Sequence, residues 1–332
     1  MSLLSAISLS YSYEGKNDPT IHDFNFEIRE GEFISIVGPS GSGKTTLLKL
    51  LAGHINPSKG RVLFHGEELE GPDIRLVPGY EEIKLVYQQY ELRPNISAKE
   101  NIASVLNEYT LEYRTERVNF LLDFFKLNSI SDHKPYQLSG GQQQRLAIAK
   151  AMANEPEVLL MDEPFSALDP MNSALFLTEV KRLAQETGTC VILVTHDTRD
   201  AMMADKIVVL MNGEIKQLGT PQEIYYQPRS YEIASFFGPI NKFSAEEMSR
   251  FGISAKDDCL IRAEGFRLAI NEGSLTCLVK EVLFRGSYQI LLIQAFDYKE
   301  ILIFDFEKRF AKGNSVSVSV EAKDVIFCHP LD

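Results

Sequence analysis

Residues 38–45 read Gly-Pro-Ser-Gly-Ser-Gly-Lys-Thr. Two glycines bracket four residues and are followed by Lys and Thr, the spacing of a loop that cradles phosphate. Gly38, Gly41 and Gly43 let the backbone curl until several N–H groups point inward at one anion. A helix beginning at the loop adds its positive end to the same spot. The candidate cradle is Gly38, Pro39, Ser40, Gly41, Ser42, Gly43, Lys44, Thr45 and Thr46. In it Lys44 would reach the outer phosphates and the Thr45 hydroxyl would bind Mg²⁺. Chance alone produces such an octet in roughly one chain in a hundred of this size, so its flanks and the rest of the chain must be weighed with it.

Four further strings lie downstream in order. Leu138-Ser139-Gly140-Gly141-Gln142 leads into Gln143-Gln144-Arg145 and a predicted helix. Its small residues leave a helix amino end open to phosphate, although alone such a string reads as a flexible cap. Val158 to Met161 is an apolar strand that ends in Asp162 and Glu163. A pair placed there can present Asp162 to a Mg²⁺ shell and Glu163 to an attacking water. Ser166-Ala167-Leu168-Asp169 follows, before a proline suited to opening a helix. Finally, Val191 to Val194 runs into Thr195-His196-Asp197, which puts a histidine at the carboxyl end of a strand, where open α/β sheets hold ligands.

These strings need strands and helices in alternation to bring them to one edge. Glu32 to Val37 reads as a buried strand before the loop, and Thr45 to Ala52 as the first helix turns after it. Ser5–Tyr13, Ile21–Ile28, Phe33–Val37 and Gly60–Phe64 read as strands. Residues 97–128 read as helical, with Ser97 and Glu100 in capping-box spacing. A helix is predicted from Ser139 to about Asn154, strands at Val158–Met161 and Cys190–Thr195, a helix near Asn172–Thr187, and a hairpin turning at Asn212-Gly213. Alternation of this kind predicts parallel strands joined by crossover helices. Beyond about residue 240 the texture becomes short β segments (Leu260–Arg262, Leu275–Leu283, Tyr288–Gln294, Glu300–Phe304, Ser315–Val320), which predicts a small barrel or sandwich. The boundary is placed at 238/239.

Composition sets bounds. The 332 residues suffice for two domains, and 44% hydrophobic with 24% charged content is ordinary for a soluble globular protein. No apolar run approaches the length needed to cross a bilayer, and Met1–Tyr13 lacks the pattern of a secretory signal. Cys190, Cys259, Cys277 and Cys328 are widely spaced, which predicts reduced thiols rather than a metal or disulfide framework. The net charge is −12, of which residues 240–332 hold only −2 (12 Lys+Arg against 14 Asp+Glu). That balance argues against a nucleic-acid partner. It also makes attraction for a phosphate a local matter of Lys44, Mg²⁺ and loop amides.

Together the motifs resemble the ATPase subunit of ABC transporters over residues 3–237. Gly38–Thr45 is similar to the Walker A loop, Val158–Asp162 to the Walker B strand, Glu163 to the catalytic carboxylate and Leu138–Gln142 to the family signature. Ser166–Asp169 resembles the D-loop, His196 the switch histidine, and Gln88 the Q-loop glutamine. Tyr13 resembles the aromatic that stacks on adenine, with Tyr11 as its neighbouring rival. The tail, Gly219–Tyr225 and Phe236–Gly238, is similar to importer ATPases for sugars, polyamines, sulfate, molybdate and ferric iron. Ile261–Glu264 and Val282–Tyr288 resemble the OB-like TOBE domain that follows, with Arg262-Ala263-Glu264 where Arg-Pro-Glu is commoner.

The resemblance implies an α/β P-loop domain over residues 1–238. It would have a mixed, mainly parallel sheet, an antiparallel β subdomain and a helical subdomain at about 90–150; a small all-β OB-like domain would occupy 239–332. It implies ATP and Mg²⁺ as cofactors, Thr45, Gln88 and Asp162 at the metal, and Glu163, His196 and Gln88 in catalysis. It further implies a homodimer in which Ser139, Gly140, Gly141 and Gln142 of one copy face the phosphate loop of the other. The partners would be transmembrane permease subunits and, indirectly, a substrate-binding protein, with the chain peripheral on the cytoplasmic face of the membrane. The rival readings are a soluble ABC ATPase uncoupled from transport and a nucleic-acid binder using the OB-like fold. The first lacks support from coiled coils, zinc modules or a second Walker A, and the second from charge. Lys44→Ala is expected to weaken ATP binding about tenfold or more, the loss of a charged hydrogen bond; unchanged affinity by calorimetry would count against the loop.

Overall fold

The computed structural model describes residues 2–15, 18–165, 170–269, 275–296 and 299–327. The predicted D-loop, Ser166–Asp169, and Cys328 lie outside the described residues. The chain divides into two compact units, Met1–Pro221 and Gln222–Asp332.

The first unit is built on a six-stranded sheet. Among the described residues its strands are β1 (Leu4–Tyr11), β2 (Ile21–Ile28), β3 (Phe33–Val37), β4 (Lys59–Phe64), β5 (Glu67–Glu68), β6 (Ile83–Val86), β7 (Val158–Asp162), β8 (Cys190–Val194), β9 (Lys206–Met211) and β10 (Glu214–Gly219). Its helices are α1 (Lys44–Leu51), α2 (Ala98–Ala103), α3 (Leu111–Phe124), α4 (Gly140–Ala151), α5 (Pro170–Thr187) and α6 (Thr198–Ala201). The central sheet runs β10-β9-β3-β8-β7-β6, parallel except for β10, and a second sheet, β2-β1-β4-β5, is antiparallel.

Strands β3, β7 and β8 are almost wholly apolar because both faces are covered. Side chains alternate between the faces. Leu159, Met161, Val191 and Leu193 pack with Phe125, Leu146 and Phe176 on the helical side. Val158, Leu160, Ile192 and Val194 pack with Leu9, Phe24 and Leu48 of the antiparallel side. Cys190 is buried, and burial pushes its thiol up to about 11, so it acts as an apolar filler, as its place in an apolar run predicts.

Two differences from the sequence reading are local. The single helical stretch of 97–128 is two helices, because Thr110 caps a new one, its Oγ1 accepting the Tyr113 N–H at 3.3 Å. Strand β6 escapes sequence reading. It is four residues long with Lys84 inside it, and only its pairing with β7 makes it a strand.

The second unit holds α7 (Pro221–Tyr226, which begins at the division), α8 (Tyr231–Phe236), β11 (Ile240–Phe243), α9 (Ala245–Ser249), β12 (Cys259–Arg262), β13 (Phe266–Ala269), β14 (Leu275–Phe284), β15 (Gln289–Gln294), β16 (Glu300–Asp305), β17 (Ser315–Val320) and β18 (Val325–Phe327). The strands form sheets ordered β11-β12-β18 and β13-β17-β14-β15-β16, all antiparallel, the all-β arrangement expected of an OB-like domain. The change of texture in the sequence places a boundary at 238/239, whereas the compact units divide at 221/222. The reason is Arg262. Its buried guanidinium lies 3.6 Å over the Tyr225 ring and donates to the carbonyls of Tyr225 (2.7 and 3.1 Å) and Ala234 (3.3 Å), while Tyr225 Oη donates to Glu264. Helices α7 and α8 are thereby bound to β12. Arg262→Met is expected to cost about 2 kcal/mol, since it removes the charged hydrogen bonds to the Tyr225 and Ala234 carbonyls. Protease cleavage within 222–238 should accelerate; an unchanged melting curve and cleavage pattern would refute the clamp.

Candidate active site

The loop between β3 and α1 is shaped by close approach. A Cβ at Gly38 would lie 1.9 Å from the Leu210 carbonyl oxygen, and one at Gly43, where φ is 101°, would lie 2.6 Å from that of Thr20. Only glycine fits at either place. Lys44 is buried and donates from Nζ to the carbonyls of Gly38 and Pro39, both at 2.9 Å. Ser42 Oγ is buried in the loop with no hydrogen-bond partner. A curled loop with a buried cation and a spare hydroxyl fits a phosphate group.

The parallel strands end beside this loop. Thr45 sits by the carboxylate of Asp162, the last residue of β7, close enough to favour its charged form. Burial raises the Asp162 pKa and Glu163 adds to the rise, while Thr45 and Lys44 oppose it. Burial likewise lowers the Lys44 pKa, and Glu163 and Asp162 counter that shift. A hydroxyl and a carboxylate held together are hard oxygen donors of the kind Mg²⁺ takes.

Glu163 follows with φ at 48°, in the left-handed region, its N–H donating to the Val194 carbonyl at 2.9 Å. That backbone costs of order 1 kcal/mol. It turns the carboxylate towards β8, where Glu163 Oε2 and His196 Nδ1 are 3.2 Å apart. Gln88 is exposed two residues beyond β6, whose Val86 pairs with Met161, so it shares this edge. Tyr13 Oη lies 3.0 Å from Thr46 Oγ1 at the start of α1, and the Tyr11 ring meets the Tyr13 ring edge-on at 4.9 Å. Of the two tyrosines, Tyr13 has the hydrogen bond to the loop helix. Ser139 and Gln142 form a capping box at the exposed amino end of α4, so Ser139, Gly140, Gly141 and Gln142 sit at an open helix terminus in the helical layer.

Residues 21–166 match the family described as ABC transporter. The chain is 38% identical over 327 residues to the spermidine/putrescine import ATP-binding protein PotA of Mannheimia succiniciproducens, spanning 95% of this chain and 83% of that one. It is 39% identical over 266 residues to PotA of Aliivibrio fischeri, spanning 79% and 68%. With the Fe(3+) ions import ATP-binding protein FbpC 2 of Rhizobium meliloti it shares 43% over 228 residues, 68% of this chain and 57% of that one. The chain belongs to the ABC transporter family, as an ATP-binding subunit of the importer type. Among solved structures, the dimeric post-hydrolysis ATP-binding cassette MJ0796 bound to ADP and Pi matches with TM-score 0.58 and 32% identity, covering 66% of this chain and 98% of that one. The chain is therefore an ATPase coupled to transport, with the ABC cassette in its first unit.

Two tertiary contacts of this ABC ATPase were not legible in its sequence. Arg145 of α4 pairs with Glu179 of α5 at 2.8 Å and lies 4.3 Å over the Phe176 ring, tying the signature helix to α5. Asp200 of α6, four residues past His196, is buried with both oxygens accepting from Ser173 of α5, at 3.0 and 2.9 Å. The partners are 34 and 27 residues apart, and nothing local marks them. Burial raises the Asp200 pKa above its usual 3.8. Its contribution to stability is therefore complete below that value and falls as pH rises through the higher folded value. Asp200→Asn should remove that dependence, so that its melting temperature gains on wild type from pH 4 upward, near the ordinary Asp pKa. A constant difference between the two proteins across that range would contradict it.

Proposed function

We propose that this subunit hydrolyses Mg²⁺·ATP at the edge formed by the Gly38–Thr46 loop, Asp162, Glu163 and His196, between two copies of the chain. One observation carries the reading: the buried Lys44 ammonium shares its surroundings with Asp162 and Glu163, while Thr45 sits by Asp162 and His196 bonds Glu163. Lys44 binds the outer phosphates, and Tyr13 stacks on the adenine. The Thr45 hydroxyl, the Asp162 carboxylate and Gln88 would hold the metal. When bound, Mg²⁺ would supply positive charge that offsets the charge of the outer phosphates. Glu163 orients the attacking water and takes its proton. His196 fixes the Glu163 carboxylate through the Nδ1 contact and stands near the outermost phosphate.

Ser139, Gly140, Gly141 and Gln142 of the second copy close over that phosphate, their helix amino end favouring the anion by up to about 1 kcal/mol per contact. Cleavage of the outer phosphate removes the group that both copies grip, so the dimer opens. Gln88 passes this change to a transmembrane permease, which docks on the helical region at about 90–150, and the chain sits peripherally on the cytoplasmic face. In support, the relatives are import subunits and one structural neighbour is a dimeric cassette. Among the described residues, no helix is long and apolar enough to cross a membrane. The names of those relatives divide the cargo between polyamine and ferric iron; sugar and oxyanion cargo rest only on the likeness of the tail.

Glu163→Gln is expected to lower turnover roughly a hundredfold or more while ATP affinity stays near wild type, and to hold an ATP-bound dimer detectable by light scattering. Wild-type turnover in that variant would defeat the assignment.

A further inference from the structure

Ile74 and Val77 are 70% and 78% exposed and Leu76 is fully exposed, in the loop between β5 and β6. Isolated exposed aliphatics need no explanation, but three within four residues form a patch. The loop is held in place at both feet. The N–H groups of Ile74 and Arg75 both donate to the Gly71 carbonyl, at 3.1 and 3.0 Å. Arg75 lies 4.0 Å over the Tyr80 ring, and Tyr80 Oη accepts from the Glu70 N–H at 2.6 Å. Beneath it a groove of about 440 Å³ is lined by Leu50, Ile55, Leu69 and Ile74 among others. Apolar side chains presented on an ordered loop beside a groove have the character of binding anchors.

The rim is acidic. Glu67, Glu68, Glu70, Asp73, Glu81 and Glu82 are all exposed around the loop, against Arg61, Arg75 and Lys84. The face therefore repels anionic lipid and nucleic acid and suits an apolar segment carrying Lys or Arg. Cytoplasmic loops of membrane proteins carry an excess of those residues. The foot of the loop also reaches towards the catalytic edge: a Cβ on Gly79 would lie 2.7 Å from His54 Nε2, and His54 Nδ1 lies 2.6 Å from the hydroxyl of Tyr87, the neighbour of Gln88.

We propose that residues 71–82 form a docking face, separate from the helical region, for a basic, apolar cytoplasmic loop of the permease. Contact there reaches the Gln88 segment through His54 and Tyr87. The inference rests on the importer reading above. The test uses the full chain and flotation with urea-stripped cytoplasmic-membrane vesicles from the source organism, beside protein-free vesicles of phosphatidylethanolamine and phosphatidylglycerol. Wild type should float with the stripped membranes and not with lipid alone. Leu76→Ser/Val77→Ser should weaken that binding about tenfold or more, and Glu81→Lys/Glu82→Lys should also weaken it, whereas Leu76→Met should retain it and basal ATPase should stay unchanged in all three. Wild-type binding by both double variants overturns this face alone. Equal binding to protein-free vesicles overturns it in favour of lipid. Failure of wild type to bind stripped membranes overturns the importer reading together with it.

Discussion

A lysine ammonium kept out of water opposite two carboxylates is the constraint on which the first unit depends. Burial works against the charged form of Lys44 and Asp162 alike, while the two groups favour each other's charge. Charges in such a place must be paired or hydrogen-bonded. The carbonyls of Gly38 and Pro39 supply those bonds to Lys44, and Thr45 favours the charged form of Asp162. The arrangement is electrostatically tense by construction, and a ligand bearing both negative charge and a divalent cation complements it.

Holding that tension requires a rigid base. The parallel sheet is buried on both faces, and strands β7 and β8 alternate their side chains between the two cores. Interiors packed in this way do not deform continuously, so Glu163 can persist in a left-handed conformation beside them. The ties on α5 extend the same logic. Arg145 with Glu179, and Ser173 with Asp200, link the signature helix and the turn after His196 to one long helix. A shift of α5 would therefore be felt at both.

The second unit solves a different problem. Its strands are antiparallel, and its core gathers Phe243, Phe251, Phe266 and Phe296 in edge and tilted contacts. Two buried polar side chains finish it. Asn241 accepts from the Leu302 N–H at 2.7 Å and donates to the Leu302 carbonyl at 2.8 Å, satisfying the edge of β16, while Asp305 anchors the turn after β16 by accepting from the N–H groups of Arg309 and Phe310. Arg262 does the same for α7 and α8.

The amino-acid sequence alone determined the parts whose chemistry is local. The glycine spacing of 38–45, the apolar run ending in Asp162 and Glu163, and the capping residues at Ser97 and Ser139 act over one turn or one strand, so their order in the chain is their structure. The family resemblance followed from the same strings. Only the tertiary structure decided what depends on distant partners. Strand β6 exists because β7 pairs with it, α7 and α8 join the second unit because Arg262 reaches them, and Asp200 is buried because Ser173 lies opposite. The exposed loop at Ile74–Val77 belongs to the same class, since only the fold leaves Ile74, Leu76 and Val77 outside. Burial and pairing are properties of the whole chain's packing, and no window of neighbouring residues contains them.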